Sequence, residues 1–221
     1  DVNKTIPVDL VGKDFGWKID DDSNVTKVSA FMVNEEKIGV YQNCGKKDWW
    51  ADKLPANVII YQTINELKNS DSKGCLIITD EIVDDDSLLQ NAVVYRPPSL
   101  VVGVGLHWDT TKYTIKDGLM RCMNKFKLGE KSIARFVSIK KEKDVDGLVE
   151  LAKEMSIPIQ YFEKEELASI DTPNPSNTVQ TFEGTPSVSE AAAIKSSEGK
   201  LVVEKQKFPP NLTIAIARIP N

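Results

Sequence analysis

The tripeptide Arg96-Pro97-Pro98 divides the sequence into two halves that both alternate short apolar runs with amphipathic segments. Two adjacent prolines cannot continue a helix or occupy a central strand, because proline has a fixed φ and lacks a backbone N–H group. Alternating strands and helices are typical of layered α/β folds. The sequence therefore predicts a small α/β domain over residues 18–98 and a layered α/β domain with a mostly parallel sheet over residues 99–221.

The N-terminal half is predicted to open with a short helix that ends at Gly16. The chain begins with Asp1 rather than Met, so we expect residues 1–17 to be the tail of a preceding domain. Two β-type runs at 28–33 and 37–42 flank a short polar turn, a pattern that favours a hairpin. Further strands are predicted at 58–61, 75–79 and 93–95, with a helical turn at 64–68.

Predicted strands and helices alternate more regularly in the C-terminal half. An amphipathic segment ends near Lys127, the heptad-like spacing of apolar residues predicts a helix from Asp144 to Met155, and a short helix is predicted at 164–168. Apolar runs predict strands at 100–104, 133–139, 158–162, 200–205 and 212–218.

The composition argues against several classes of partner and site. The formal net charge is −5 with both signs mixed, and no basic tract is interleaved with aromatic residues, so no nucleic-acid surface is predicted. Three scattered cysteines and a single histidine provide neither a disulfide framework nor a zinc site. No apolar run reaches transmembrane length and no signal peptide is evident. We therefore expect a cytoplasmic protein that needs no membrane, metal or cofactor of its own.

Two dipeptides, Asn174-Pro175 and Thr185-Pro186, are typical of helix starts, because proline at the first helical position loses no hydrogen bond. Ser187 and Glu190 could instead form a capping box, which would shift the start of this helix by a residue or two. Helix N-termini attract carboxylates and phosphates. Ordinary capping is the alternative interpretation of the same residues.

The stretch Gly103-Val-Gly105 ends a predicted strand, at the edge where open α/β sheets bind ligands. The third glycine of a dinucleotide fingerprint is absent, and no convincing ribose-binding acid follows. A dinucleotide site is therefore not predicted.

Taken in order, the motifs resemble the middle and C-terminal domains of cobalamin biosynthesis protein G, the cobalt-precorrin 5A hydrolase family. The middle-domain pieces are Val28-Ser-Ala-Phe31, Val40-Tyr-Gln42, Asp48-Trp-Trp50, Leu54-Pro55 and Val94-Tyr-Arg-Pro-Pro98. The C-terminal pieces are Ser99-Leu-Val-Val-Gly-Val-Gly105, Gly147-Leu-Val-Glu-Leu-Ala152, Ile157-Pro158, Glu165-Glu-Leu167, Thr172-Pro-Asn-Pro-Ser176, Gly184-Thr-Pro-Ser-Val-Ser-Glu-Ala-Ala-Ala193, Leu201-Val-Val-Glu-Lys205 and Thr213-Ile-Ala-Ile-Ala-Arg218.

The resemblance implies a hydrolase that opens the δ-lactone of cobalt-precorrin 5A and releases acetaldehyde, which gives cobalt-precorrin 5B. The partner it implies is a cobalt-containing corrinoid intermediate rimmed by acetate and propionate groups, and residues 99–221 would be the corrinoid-binding domain. Contact with other corrinoid-pathway enzymes and a homodimer are further expectations. A non-catalytic corrinoid-binding or carrier module, and a paralogue with an unrelated ligand, are the rival interpretations.

His107 is the candidate catalytic base, because histidine alone titrates near neutral pH without a large shift and a lactone opening needs a base to activate water. The family usually has Cys and basic residues at this point, so a surface or packing histidine is the alternative. The candidate substrate-binding residues are Arg96, Gly103, Gly105, Thr110, Thr111, Asn174, Ser176, Gly184, Thr185 and Ser187. Arg96 could equally anchor the domain linker, and capping is the alternative for the two threonines.

Overall fold

The computed structural model describes residues 4–175 and 187–221, and the chain divides into two compact units. The first unit comprises Asp1–Pro98 with Asn221, and the second comprises Ser99–Pro220. Within the described residues, each unit contains one five-stranded sheet covered by helices. The predicted α/β class is confirmed.

The first unit is a mostly parallel sheet with helices on both faces. Its strands are β1 (Lys18–Ile19), β2 (Ile38–Gln42), β3 (Val58–Tyr61), β4 (Gly74–Ile78) and β5 (Ala92–Arg96). Its helices are α1 (Val25–Val33), α2 (Ile64–Lys68) and α3 (Asp86–Leu89). The strand order is β1-β5-β4-β2-β3, and only the pairing of β1 with β5 is antiparallel. Side chains of β4 alternate between a core shared with α1 and a core shared with α2 and α3.

The predicted hairpin over residues 28–42 is wrong, because its first half belongs to α1. Val28 and Met32 lie one helical turn apart and both are buried against the sheet. The β-branched residues of this stretch suggested a strand, but packing of one helical face overrides that weak preference. The chain turns at Glu35, with a φ of 56°, and β2 then pairs in parallel with β3 and β4.

Residues 4–17 do not form the predicted helix and do not lie outside the first unit. Only a 3-10 turn, Lys13–Phe15, occurs there, between Gly12 and Gly16 in left-handed conformations. The Tyr95 hydroxyl donates to the carbonyl oxygen of Val8 at 2.6 Å. The apolar side chains of the segment join the core of the sheet: Ile6, Val8, Val11 and Trp17.

The second unit has five strands and four described helices. The strands are β6 (Leu100–Leu106), β7 (Ile133–Ile139), β8 (Ile159–Phe162), β9 (Lys200–Phe208) and β10 (Leu212–Arg218). The helices are α4 (Lys112–Lys125), α5 (Asp146–Met155), α6 (Lys164–Ala168) and α7 (Val188–Ser197). The apolar face predicted between residues 144 and 155 is confirmed, since Leu148, Leu151 and Ala152 are buried. None of the helices in the described part of the chain is long and apolar enough to cross a bilayer.

The sheet of the second unit has the order β8-β7-β6-β10-β9. Strands β6, β7 and β8 pair in parallel, whereas β10 is antiparallel to both β6 and β9. Four of the five strands therefore point the same way, but the predicted mostly parallel pairing holds only in the half built by β6–β8. Helices α4 and α5 cover one face, and α6 and α7 cover the other.

Gly103, in the middle of β6, allows α7 to lie directly on the sheet. A Cβ atom at this position would be 1.9 Å from the carbonyl oxygen of Ser189 and 3.0 Å from the Cβ of Ala193. The residues of α7 that face β6 are small and fully buried, which brings the two backbones together. Helix packing thus occupies the open face of Gly103, and its assignment to substrate binding stays a prediction.

Replacing Gly103 with Ala should destabilise the protein far more than replacing Gly105 with Ala in the same strand. The new methyl group at 103 meets backbone, which cannot move away, and overpacking of this kind costs about 1–3 kcal/mol. At Gly105 the nearest atom is the Thr213 Oγ1, at 2.3 Å, and a side chain can rotate. Urea unfolding of both variants measures the difference, and equal losses would contradict the close helix–strand contact.

Candidate functional site

The carboxyl ends of β6, β7 and β8 lie at one edge of the second sheet, where ligands bind in open α/β folds. β6 ends at Leu106 and His107 follows it directly. Helix α7 begins at the same edge, because a Cβ atom at Gly105 would be 3.9 Å from the Cβ of Val188. The structure thus brings His107, Gly105 and the start of α7 to one edge.

The turn after β6 is held by Thr110, whose side chain is buried. Its hydroxyl accepts from the backbone N–H of His107 at 3.1 Å and donates to the carbonyl oxygen of Asn211 at 3.1 Å. Both hydrogen-bonding roles of the hydroxyl are used inside the protein. The hydroxyl thereby fixes the position of His107, and the assignment of Thr110 to substrate binding stays a prediction.

His107 and Asp109 form a side-chain pair at this turn. The imidazole Nδ1 lies 2.9 Å from the Asp109 Oδ1, and that oxygen also accepts from the Asn211 Nδ2 at 3.3 Å. The hydrogen bond from His107 is the largest cause that lowers the pKa of Asp109 below its ordinary value. An ionised carboxylate at Nδ1 places the ring proton there, so the Nε2 atom is the one that can accept a proton.

Thr111 is the N-cap residue of α4, as the capping alternative predicted. Its hydroxyl accepts from the backbone N–H of Thr114 at 3.2 Å and lies 3.1 Å from the Thr114 hydroxyl. A capping hydroxyl satisfies an amide of the first helical turn that has no partner within the helix. Thr111 therefore stabilises the helix start, and its assignment to substrate binding stays a prediction.

The start of α7 has two buried hydroxyl groups with no hydrogen-bond partner among the described residues. Ser187 is the N-cap residue, yet its side chain makes no capping bond. Ser187 is 1% exposed and Ser189 is 0% exposed, and both Oγ atoms are unsatisfied. Buried polar groups are nearly always paired, so two such groups at one helix start require an explanation.

The predicted capping box between Ser187 and Glu190 is absent, because Glu190 binds elsewhere. Its fully buried carboxylate accepts from the backbone N–H of Asn174 at 3.1 Å, from the Asn174 Nδ2 at 2.8 Å and from the backbone N–H of Lys205 at 2.9 Å. The Lys205 ammonium donates to the carbonyl oxygen of Asn174. Burial lowers the pKa of Lys205, and the nearby Glu190 charge opposes that effect.

Asn174 is consequently engaged inside the protein. Its side-chain amide donates to Glu190 and also to the Glu204 Oε2 at 2.9 Å. Both donors of the amide are used to join residues 171–175 to α7 and β9, and the assignment of Asn174 to substrate binding stays a prediction.

Sequence comparison identifies the family of this chain. A profile of the cobalamin synthesis G C-terminus matches residues 100–217, and a profile of the cobalamin biosynthesis central region matches residues 6–97. The chain belongs to the cobalamin biosynthesis protein G family.

Individual relatives agree with the family. The chain is 37% identical over 224 residues to a cobalt-precorrin-5A hydrolase from Priestia megaterium, and the match covers 100% of this chain and 60% of that protein. The chain thus spans less than two thirds of the relative's length. The crystal structure of CobE, a protein from the cobalamin (vitamin B12) biosynthetic pathway, matches with a TM-score of 0.52 and 24% identity, over 56% of this chain and 92% of CobE. The family role is cobalamin biosynthesis.

Arg96, a candidate substrate ligand of this family member, serves as an anchor in the first unit. It is 5% exposed, and its guanidinium makes a bidentate pair with Asp20 at 2.8–3.2 Å. Its Nη1 atom donates to the carbonyl oxygens of Thr79 and Glu81 at 2.9 and 2.7 Å. A buried guanidinium with these bonds has no exposed face for a substrate carboxylate, so the linker-anchor alternative is the one the structure supports.

The remaining candidates fall into two groups. Ser176, Gly184 and Thr185, with the helix start predicted at Thr185-Pro186, lie outside the described residues. Gly105 and Ser187 are at the edge where His107 and α7 meet. No group of three or more His, Cys, Asp or Glu side chains within residues 4–175 and 187–221 is arranged to hold a metal ion.

Four residues of the site were not predicted from the sequence. Asp109 carried a signal, since it lies two residues from the only histidine and a carboxylate commonly orients a catalytic imidazole. Ser189 and Glu190 stand in a recognised helix start, but nothing in the sequence shows which side chains face inward. Asn211 lies 102 residues from Asp109, so only the fold could bring them together.

Glu190 should be essential for stability, whereas its exposed neighbour in the network should not. In Glu190→Gln, an amide group must face N–H donors at a fully buried position, and an unsatisfied buried donor costs about 1–3 kcal/mol. The matched variant Glu204→Gln changes an exposed acceptor of the same Asn174 amide, and surface changes usually stay within about 0.5 kcal/mol. Urea unfolding at neutral pH measures both, and similar small losses would show that Glu190 does not hold the network.

Proposed function

We propose that this chain contributes the corrinoid-binding and water-activating parts of a hydrolase that opens the δ-lactone of cobalt-precorrin 5A. The products would be acetaldehyde and cobalt-precorrin 5B. Support comes from the family and from the relative named cobalt-precorrin-5A hydrolase. The second unit would be the corrinoid-binding domain, and the cobalt ion would arrive as part of the substrate.

The observation that carries the proposal is the pair formed by His107 and Asp109 at the carboxyl edge of the second sheet. Asp109 holds the imidazole through Nδ1, so Nε2 can take a proton from water. Thr110 hydrogen-bonds the backbone of His107 and of Asn211, and the Asn211 amide donates to Asp109, so these contacts hold the turn that bears the imidazole. A base held by a carboxylate is the arrangement that hydrolases use to activate a nucleophile.

The reaction follows from these positions. Water loses a proton to the Nε2 of His107 as its oxygen attacks the lactone carbonyl carbon. The tetrahedral oxyanion then collapses, the ring C–O bond breaks, and the imidazolium returns its proton to the departing oxygen. The ester thereby becomes an alcohol and a carboxylic acid, which releases its proton to solvent. Acetaldehyde then leaves as the alcohol loses its O–H proton and becomes a carbonyl group, the C–C bond to the macrocycle breaks, and the macrocycle takes up the electron pair of that bond together with a proton. The partial positive charge at the start of α7 favours negative charge at this edge.

The alternative function is a non-catalytic corrinoid-binding or carrier module. One observation favours it: the chain corresponds to only 60% of the length of the matched hydrolase. The base could then come from the part of the longer relative that this chain does not match. Titration of the purified chain with cobalt-precorrin 5A, followed by its visible spectrum and by an acetaldehyde assay, separates the two functions. Binding with release of acetaldehyde supports the hydrolase, whereas binding without release supports the carrier.

Removing the base should slow turnover sharply and leave corrinoid binding unchanged. We expect His107→Ala to lower the rate of acetaldehyde release about 10²–10⁴-fold, the range typical for loss of a general base.

Two aspartate variants test the orienting role of Asp109. Asp109→Ala should reduce turnover less than His107→Ala does, since the imidazole remains but loses its orientation. Asp117→Ala removes an exposed carboxylate whose partner is Arg121 at 3.6 Å on α4, and should leave turnover unchanged. Full activity of His107→Ala would refute the assignment of the base.

A further inference from the structure

The start of α7 combines two features that point to a ligand. Helix α7 has ten residues, and the first amide groups of a helix have no acceptor within the helix. The hydroxyls of Ser187 and Ser189 are buried at the same place without a partner among the described residues. Side chains in a helix tilt toward its N-terminus, and Ser187 and Ser189 flank Val188, the first residue of this helix.

We propose that Ser187, Ser189 and the first-turn amides of α7 form a subsite for one carboxylate arm of a corrinoid. The proposal rests on the proposed function for the nature of the ligand. A carboxylate has two oxygens and about four acceptor positions, which suit two hydroxyl donors and free amide N–H groups together. The positive end of the helix dipole adds electrostatic attraction.

The only carboxylate in the first turn of α7 is that of Glu190, and it does not occupy this subsite. Its two oxygens accept the three N–H bonds from Asn174 and Lys205 described above. The ammonium of Lys205 lies beside it and offsets its charge. The Glu190 carboxylate therefore bonds β9 and residues 171–175, and it does not accept a hydrogen bond from the hydroxyl of Ser187 or Ser189. Both hydroxyls can then donate to a ligand.

Gly105 lies at the edge of the sheet from which a ligand would reach the subsite. This glycine lies against Val188, the first residue of α7, at the carboxyl end of β6. The Thr213 Oγ1 lies over this glycine, 2.3 Å from the position of a Cβ atom, so a carboxylate arm that reaches the helix start from the edge bearing His107 passes beside the Thr213 side chain. The subsite would therefore hold one arm of the macrocycle while the lactone lies near the imidazole.

Three alanine variants of the full chain test the subsite. Ser187→Ala and Ser189→Ala each remove one proposed donor. Ser132→Ala is the matched control, because Ser132 is also fully buried with an unpaired hydroxyl but lies in the turn before β7, at the opposite edge of the sheet. Loss of an unpaired buried hydroxyl removes a desolvation penalty, so all three variants should melt at or above the temperature of the unaltered protein.

Binding is measured with cobyrinic acid and with its fully methylated ester, using the visible spectrum of the corrinoid. Ser187→Ala and Ser189→Ala should each bind the acid about tenfold more weakly, since a hydrogen bond to a charged group is lost. Ser132→Ala should bind the acid normally. The ester, which has no carboxylate, should bind all four proteins equally.

Several results would overturn the subsite. One is unchanged affinity of the Ser187 and Ser189 variants for cobyrinic acid, and another is no preference of the unaltered protein for acid over ester. A lower melting temperature of the Ser189 variant would show that the hydroxyl already has a partner. Acetaldehyde release by the unaltered protein is measured separately. If the serine variants bind the acid more weakly but the unaltered protein releases no acetaldehyde, the subsite is retained and the hydrolase is rejected. If the unaltered protein releases acetaldehyde but the serine variants bind the acid normally, the hydrolase is retained and the subsite is rejected.

Discussion

The contact between α7 and β6 at Gly103 determines where every other part of the candidate site can be. Because no side chain separates the two backbones, the carbonyl oxygen of Ser189 lies directly against the strand. Packing at this distance tolerates little displacement, since interiors are as dense as organic crystals. The start of α7 is therefore held at the carboxyl edge of the sheet. A helix that was raised by even one methyl group would move its first-turn amides away from the turn that bears His107.

A second constraint acts along the edge. The buried Glu190 carboxylate joins the first turn of α7 to the β9 strand and to residues 171–175. Burial of a charged group is costly unless hydrogen bonds and an opposite charge compensate it, and here three N–H donors and the Lys205 ammonium do so. The network fixes the direction of α7, while Gly103 fixes its distance from the sheet. Together they leave the hydroxyls of Ser187 and Ser189 as the unpaired polar groups of this helix start.

Prediction from the sequence succeeded where one local pattern determines the structure. The helix over residues 146–155 has a clear apolar face, and the strand over 133–139 is a compact β-branched run. It failed at α1, where β-branched residues suit a strand locally but Val28 and Met32 are buried as one helical face. It also missed the antiparallel β10, because strand direction depends on which neighbour a strand joins and not on its own residues. The roles of side chains were the hardest to predict. Residues 187–190 fit the sequence of a capping box, but Glu190 instead accepts hydrogen bonds from residues 174 and 205, which are distant from it in the sequence.

The positions of these groups bear on how the proposed chemistry could be divided in a longer protein. The imidazole of His107 and the start of α7 both belong to the second unit and are fixed by contacts within that unit. Orientation of the base by Asp109 needs only the turn after β6 and Asn211, which precedes β10. A carboxylate subsite at α7 likewise needs no residue from outside Ser99–Pro220. The proposed binding of a corrinoid arm and the proposed activation of water therefore both depend on residues of the second unit.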